Sequence, residues 1–253
     1  MEKNDSPIGI LGFGEVGQAI GKFYQNPRIK DLQRNDGLEG IEIFHICIPW
    51  SEGFIDIVER EVKTFRPKLT IIHSTVAPGT TRKLVLSLPK TLGDMVVHSP
   101  VRGVHPNLYE GIKTFIKYIG ADNKKAGERA RRHLESLGMK VKVCMPSVTT
   151  EIGKLLDTTY YGLCIAWHGE MKKICERLGV DFQDAVADFN VNYNEGYTKL
   201  GKSNVVRPVL EPPDERIGGH CIIPNVEILK RFFQSEALEL IWKYRPRHYN
   251  KNP

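Results

Sequence analysis

Three glycines near the start of the chain have the spacing that binds the pyrophosphate of a dinucleotide. Gly12, Gly14 and Gly17 form the GxGxxG sequence GFGEVG. Glycines permit a tight turn and let a pyrophosphate approach the backbone N–H groups at a helix N-terminus. The apolar stretch SPIGI before the loop predicts a strand, and helical apolar spacing follows over residues 18–24. This strand–loop–helix order predicts a dinucleotide site, although a glycine-rich loop without a ligand is the alternative.

An acidic residue roughly 20 positions after such a loop commonly binds the adenosine ribose hydroxyls. Asp31 stands at about that distance, and Asp36 is the alternative. The expected cofactor is NAD, but Lys30 and Arg34 flank Asp31, so NADP stays open. The next apolar strand pattern begins at Ile41. This early start predicts that the usual second crossover helix is missing or reduced to a turn.

One cysteine differs in its surroundings from the other four. Cys221 lies among glycines in the segment IGGHCIIPN, whose sequence predicts an exposed turn, whereas the others lie in apolar strand or helix patterns. Five cysteines without a CxxC pair argue against a disulfide framework and against a zinc site. Cys221 is therefore the cysteine to consider for chemistry.

Basic side chains next to these segments are candidates for binding an anionic substrate. Lys154 shares one helix face with Thr158 and Tyr161, at i, i+4 and i+7. Arg102 and Arg216 each lie beside a motif and could hold a phosphate or a carboxylate. Solvated surface side chains are the alternative interpretation of all three basic residues.

Strand patterns alternate with helix patterns over residues 1–146, which predicts a mostly parallel, doubly wound α/β sheet of an abbreviated Rossmann type. Ligands of such sheets bind at the carboxyl ends of the strands. Four segments occupy such ends: Gly12–Gly17, Pro49-Trp50, Ser74-Thr75 and His98–Arg102.

Helical patterns follow over residues 147–253 and predict an all-helical substrate and dimerisation domain with a basic C-terminal tail. A long helix is expected over Thr149–Leu178, and a shorter one from Asp181 to Asn190. The glycine- and asparagine-rich span 191–204 predicts a loop, and a last helix is expected from about Pro224 to Tyr244.

The composition is that of an ordinary globular protein. The 253 residues carry a net charge of +6 without a nucleic-acid-binding motif, so a small anionic ligand is favoured over nucleic acid. No run of about 18 apolar residues predicts a transmembrane helix, so no membrane partner is expected. The charged N-terminus does not resemble a signal peptide, and a cytoplasmic location is expected.

Seven segments together resemble the UDP-glucose/GDP-mannose 6-dehydrogenases and occur in that family's order. They are GFGEVG, ICIPW, HSTVAPGTT, the SP of HSPVR, TEIGKLLDTTY, ERLGVD and GGHCIIP. The resemblance implies a Rossmann domain, a helical homodimerising region that includes Thr149–Leu178, and oxidation of a sugar primary alcohol in two NAD-dependent steps. The family's C-terminal domain, which completes the nucleotide-sugar site, is expected to be absent because the chain ends at Pro253.

The resemblance also implies roles for three residues. Cys221 matches the cysteine that attacks the aldehyde intermediate to form a thiohemiacetal. Loss of a second hydride then gives a thioester, which water hydrolyses. Lys154 matches the lysine that stabilises developing oxyanions. Thr75 matches a threonine that helps to hold substrate and water.

Three positions depart from the family pattern. Val101 replaces the acid after Ser-Pro, Thr158 replaces an asparagine, and Asn225 replaces an aspartate. Thr158 and Asn225 are kept as candidate substrate-binding residues. Two alternatives to a four-electron enzyme follow. One is a two-electron dehydrogenase like the β-hydroxyacid dehydrogenases, which also carry a lysine on a long helix, and the other is a dinucleotide-binding scaffold without turnover.

Overall fold

The computed structural model describes residues 7–104, 106–218, 221–247 and 249. The chain divides into two compact units, Met1–Lys154 and Leu155–Pro253. This division falls within the long helix Val148–Leu178. The domain boundary expected after residue 146 stays a prediction.

The first unit is built on one eight-stranded sheet with the spatial order β3-β2-β1-β4-β5-β6-β7-β8. Only the β2–β3 and β6–β7 pairs are antiparallel. The mostly parallel α/β sheet expected from the sequence is therefore confirmed. The strands are β1 (Ile8–Leu11), β2 (Arg28–Asp31), β3 (Arg34–Asn35), β4 (Ile43–Ile46), β5 (Leu69–Ile72), β6 (Val96–His98), β7 (Lys117–Ala121) and β8 (Val141–Cys144).

Helices cover both faces of this sheet. They are α1 (Glu15–Gly21), α2 (Phe54–Phe65), α3 (Thr80–Ser87), α4 (Lys90–Gly93), α5 (Leu108–Thr114), α6 (Lys124–Ser136) and the start of α7 (Val148–Leu178). Alternate strand residues point to opposite faces, so each strand contributes to two cores. Ile71 packs in one core with Ala130 of α6, whereas Ile72 packs in the other with Val58 of α2.

A hairpin replaces the second crossover helix, as the short spacing predicted. β2 and β3 pair through Lys30–Asn35 and Asp31–Arg34. Asp36 fixes the hairpin, because its carboxylate accepts a 2.9 Å hydrogen bond from the Ile29 N–H and pairs with Arg34 at 2.7 Å. The Asp36 carboxylate thus has a structural role within the hairpin.

The second unit is helical among its described residues. It contains the rest of α7, a π-helical turn (Gln183–Ala187), α8 (Asp188–Lys199), a 3-10 turn (Ser203–Val205), α9 (Ile222–Lys230) and α10 (Glu236–Lys243). Tyr244 joins α10 to α7 by donating a 2.6 Å hydrogen bond to Glu170 and accepting a 2.7 Å bond from Lys173.

Two predictions for this unit are wrong. The span 191–204 is not a loop, because α8 continues to Lys199. The rings of Tyr193 and Tyr197, at i and i+4, pack at a tilt of 39° with centroids 4.4 Å apart and support the helix despite its asparagines. The last helix is two helices, because the N–H groups of Phe232 and Phe233 bond back to Leu229 and end α9.

Candidate functional site

The glycine loop between β1 and α1 is too tight for larger side chains at two of its three glycines. Gly12 has φ +88°, and its N–H donates a 2.9 Å hydrogen bond to the carbonyl of Lys30. A Cβ atom at Gly17 would lie 2.0 Å from the Gly12 carbonyl oxygen. At Gly14, which precedes α1, a Cβ atom would meet no atom within 4 Å. The loop therefore leaves open space beside Gly14, which fits the approach of a pyrophosphate.

Asp31 lies beside this loop at the carboxyl end of β2. Its carboxylate accepts hydrogen bonds from the backbone N–H of Phe13, within the loop, and from that of Leu32 at 2.5 Å. Of the two acids considered, Asp31 is the one in contact with the glycine loop. We call the glycine loop and Asp31 together the cradle. The cradle contains both features of a dinucleotide site, a glycine loop that a pyrophosphate can approach closely and a neighbouring carboxylate.

The two basic residues that flank Asp31 have different surroundings. Lys30 pairs with Glu61 of α2 at 2.6 Å. Arg34 pairs with Asp36, and its guanidinium lies 5.7 Å from the centre of the Phe13 ring. Arg34 is thus the basic residue beside the glycine loop.

Glu151 of α7 organises the loop that follows β5 and carries Thr75. Its buried carboxylate accepts hydrogen bonds from the N–H groups of Gly79, at 2.6 Å, and Thr81, at 2.7 Å. Burial raises the pKa of this carboxyl group. Because Lys154 follows Glu151 by three residues, this contact ties the first turns of α7 to the Thr75 loop.

The segment after β6 holds Arg102 and the first departure from the family pattern. Arg102 is half-buried, and its guanidinium lies 5.1 Å from the centre of the Phe115 ring. Val101 packs in the hydrophobic core at 6% exposure. The position at which the family has an acid is therefore part of the core in this chain.

Lys117 at the start of β7 is a residue that the sequence analysis missed. It is 3% exposed, and its ammonium donates hydrogen bonds to the carbonyls of Ser99 (2.5 Å) and Pro100 (2.8 Å). These contacts hold the turn that leads from β6 to Arg102. Burial lowers the pKa of Lys117 to about 7. A lysine at the edge of an apolar strand pattern gave no indication of this role.

The second unit holds four of the predicted residues. Thr158 is half-buried on α7, and Arg216 is exposed. Cys221 immediately precedes α9, is half-buried and forms no disulfide. Asn225 is buried one turn later, and its N–H bonds to the Cys221 carbonyl at 3.2 Å. Within the described part of the chain, its side-chain Nδ2 has no hydrogen-bond partner.

The predicted residues thus form three local groups. The glycine loop and Asp31 lie together, Glu151 connects the Thr75 loop to the α7 turn of Lys154, and Cys221 and Asn225 share the start of α9. The histidine beside Cys221, residue 220, lies outside the described residues. Among the described side chains, no group of three or more could hold a metal ion. None of the described helices has both the length and the apolar composition needed to cross a bilayer.

Known proteins resemble the chain over most of its length. A UDP-N-acetyl-D-mannosamine dehydrogenase of Methanococcus maripaludis is 30% identical over 207 residues, which cover 76% of this chain and 45% of that protein. The enzyme of the same name from Pyrococcus horikoshii is 25% identical over 238 residues, 88% of this chain and 54% of that protein. The chain is related to the nucleotide-sugar dehydrogenases. The resemblance drawn from the seven segments is thereby confirmed. The chain spans about half the length of these two curated proteins.

Solved structures support the fold. A UDP-D-ManNAc dehydrogenase structure from Pyrococcus horikoshii matches with a TM-score of 0.77 at 18% identity, covering 94% of this chain and 68% of that one. A 3-hydroxyisobutyrate dehydrogenase from Mycobacterium tuberculosis matches with a TM-score of 0.66 at 16% identity, covering 93% and 91%. No protein-family model matches the chain.

Proposed function

We propose that this chain is a nicotinamide-dependent dehydrogenase that oxidises a CH–OH group of an anionic, sugar-like substrate of the nucleotide-sugar class. The observation that carries the proposal is the cradle formed by the glycine loop and Asp31, with open space at Gly14. The relationship to UDP-N-acetyl-D-mannosamine dehydrogenases supports a nucleotide sugar as the substrate.

NAD is the proposed cofactor. Gly12, Gly14 and Gly17 would admit its pyrophosphate, and the Asp31 carboxylate would accept hydrogen bonds from the adenosine ribose hydroxyls. A carboxylate at this position repels the 2′-phosphate of NADP, and the charge of Arg34 is already balanced by Asp36. When bound, the nicotinamide accepts the hydride that leaves the substrate carbon.

Three residues would act on the reacting carbon. The Lys154 ammonium stabilises negative charge on the substrate oxygen, and Thr75 helps to hold substrate and water. The Cys221 thiol would add to the aldehyde carbon to give a thiohemiacetal, and loss of a second hydride to a second nicotinamide cofactor would convert this adduct into a thioester. Water would then cleave the thioester to give the acid and restore the thiol.

Four further residues are proposed to bind the substrate. Arg102 and Arg216 would pair with the substrate's phosphate or carboxylate groups. Thr158 and Asn225 would donate or accept hydrogen bonds, and the buried Nδ2 of Asn225 is a donor that needs an acceptor.

A homodimer formed through α7 is also part of the proposal. Several large apolar side chains on this helix are exposed, and a partner subunit would cover them. They are Leu156, Tyr160, Tyr161, Trp167, Ile174 and Leu178.

A two-electron dehydrogenase is the second candidate, and two substitutions favour it. Val101 is buried where the family has an acid, and Asn225 replaces an aspartate, so two carboxylates that could assist thioester hydrolysis are missing from these positions. Such an enzyme would stop at the first oxidation.

Cofactor reduction tests the proposal. The purified chain is mixed with NAD or NADP and with UDP-N-acetylmannosamine, UDP-glucose or 3-hydroxyisobutyrate, and the absorbance of the reduced nicotinamide is followed. Reduction of NAD with a nucleotide sugar is the expected result. Reduction only with the hydroxy acid would support the second candidate, and cofactor binding without any reduction would support a scaffold.

A further inference from the structure

His98 at the end of β6 connects the loop after β5 to the first turn of α7. Its side chain is fully buried, at 0% exposure. Nε2 lies 3.0 Å from the Ser74 carbonyl oxygen, and Nδ1 lies 2.8 Å from Thr150 Oγ1. Both distances are within hydrogen-bond range. One imidazole ring thus joins two segments that are far apart in the sequence, and we call these three residues the histidine bridge.

The partners of the ring fix the direction of both hydrogen bonds. A carbonyl oxygen can only accept, so Nε2 carries the hydrogen, and Nδ1 of a neutral imidazole is then an acceptor. Burial lowers the pKa of His98 to about 3, so the ring is neutral near pH 7. Thr150 Oγ1 also lies 3.0 Å from the Ser147 carbonyl, but that carbonyl accepts the Thr150 N–H at 3.1 Å. The Thr150 hydroxyl is therefore the donor to Nδ1.

The residue opposite His98 on β7 leaves room for this bridge. Gly120 pairs with His98 in the β6–β7 register. A Cβ atom at Gly120 would lie 2.1 Å from Thr150 Oγ1 and 2.6 Å from the Ser147 carbonyl oxygen. A larger residue would therefore push the first turn of α7 away from the sheet, and the Thr150 hydroxyl away from the imidazole. Gly120 permits the close approach on which the histidine bridge depends.

Each end of the bridge lies next to a residue that is proposed to act on the substrate. The Ser74 carbonyl belongs to the peptide group that carries the Thr75 N–H. Thr150 precedes Lys154 by four residues, so the two share one face of α7. Thr75 and Lys154 are both half-buried, whereas the residues of the bridge are buried. The bridge thus connects the backbone at Thr75 with the Lys154 face of α7 through the core.

Two other contacts hold the same loop at different points. The Ser74 hydroxyl donates a 2.5 Å hydrogen bond to the Ile48 carbonyl, just beyond the end of β4. Glu151 binds the far end of the loop, next to α3. His98 supplies the contact with α7 at the near end, beside Thr75.

We propose that His98 is a positioning residue that sets the placement of Thr75 relative to the Lys154 ammonium. The inference rests on the proposed function, in which both side chains contact the substrate. Catalytic groups must be held within about 0.5 Å of their productive geometry, and a buried ring bonded to both segments supplies such a constraint. His98 acts through these two residues, because both of its ring nitrogens are bonded within the core.

NMR on the protein without cofactor or substrate tests the bridge itself. The ¹⁵N shifts of His98 in the unaltered protein should show the Nε2–H tautomer. Thr150→Val, which removes the hydroxyl and keeps the shape, should move the Thr75 amide signal, and Thr150→Ser should leave it nearly in place. Thr159→Val is the matched control, since this buried threonine of α7 donates to the Leu155 carbonyl of its own helix. An Nδ1–H tautomer, or a Thr75 signal that Thr150→Val leaves unmoved, would overturn the bridge whether or not the protein turns over substrate.

Turnover tests the positioning role. Thr150→Val should lower kcat about tenfold through misplacement of the reacting groups, and Thr150→Ser should restore it. The Kd for NAD should stay unchanged in both variants, because the cradle follows β1 and β2. Adding Thr150→Val to His98→Gln should cause little further loss of kcat, since the bridge is already broken. Normal kcat in folded Thr150→Val, or additive losses in the double variant, would overturn the positioning role. Absence of turnover in the unaltered protein would instead overturn the proposed function, and the positioning role with it.

Discussion

The Oε1 atom of Glu151 lies 2.7 Å from the backbone nitrogen of Thr81, and this contact joins two segments that each carry a predicted site residue. Thr75 lies in the loop before α3, and Lys154 lies one turn after Glu151 on α7. Because Oε2 also accepts from Gly79, the carboxylate fixes the loop at two points. Glu151 is therefore a positioning residue for Thr75 and Lys154.

Glu151→Gln should destabilise the protein by about 1–3 kcal/mol, because an amide NH₂ would replace one of two acceptors that face buried N–H groups. The free energy of unfolding in urea measures this loss. Glu128→Gln on α6 is the control, since Glu128 belongs to an exposed pair with Arg131, and its loss should leave the free energy of unfolding nearly unchanged. Equal stabilities of the two variants would contradict a capping role for Glu151.

Gly14→Val should weaken dinucleotide binding by tenfold or more without lowering the melting temperature. A Cβ atom at Gly14 meets no protein atom within 4 Å, so a side chain there would occupy only the space proposed for the pyrophosphate. Gly53→Val is the matched control, because Gly53 also precedes a helix and has the same open surroundings. Calorimetric titration with NAD measures both variants, and undiminished affinity in Gly14→Val would place the cofactor elsewhere.

Local spacing was enough to predict the parts of the fold that depend on neighbouring residues. The glycine loop and Asp31 follow from a fixed interval along the chain, and the early start of β4 correctly predicted the loss of a helix. The hydrogen bonds of the buried His45 side chain to Tyr24 and His73 were not predictable, because one histidine in the strand pattern IFHICI does not show which side chains face it. Likewise, composition alone predicted a loop in place of the second half of α8, since the contact between the Tyr193 and Tyr197 rings appears only once the helix has formed.

Acid should destabilise the protein through buried histidines. Burial lowers the pKa of His98 to about 3 and that of His133 to about 4. The unfolded state therefore binds more protons as the pH falls below about 6.5, and stability is lost progressively toward the folded-state pKa values. Between pH 7 and pH 5 each of these two histidines should cost about 2 kcal/mol.

His98→Gln tests this acid dependence, and urea unfolding at the two pH values measures it. The variant should lose about 2 kcal/mol less stability on acidification than the unaltered protein, because glutamine does not titrate. An identical loss in both proteins would show that His98 does not contribute to the acid dependence.

Trp167→Glu should convert the proposed dimer into monomers. Trp167 is 50% exposed on α7, and a carboxylate within an apolar interface would have to be desolvated without a partner. Sedimentation velocity at micromolar concentration measures the change. Asn192→Glu adds the same charge on an exposed part of α8 and should leave the dimer intact. A monomeric unaltered protein would exclude the α7 interface altogether.

Cys221→Ser should separate the four-electron reaction from a single alcohol oxidation. With a nucleotide sugar, the unaltered protein should form two molecules of reduced nicotinamide for each substrate, because the cysteine adduct permits the second oxidation. The serine variant should release the aldehyde after one oxidation, since a serine hydroxyl at neutral pH is a far weaker nucleophile than a thiol. Mass spectrometry of the product and the yield of reduced cofactor measure both outcomes. Cys144→Ser, at the end of β8, should behave as the unaltered protein does. The contrary result is one reduced cofactor per substrate in the unaltered protein, with the same yield in Cys221→Ser. That result would establish the two-electron reaction, which the replacement of acids by Val101 and Asn225 favours.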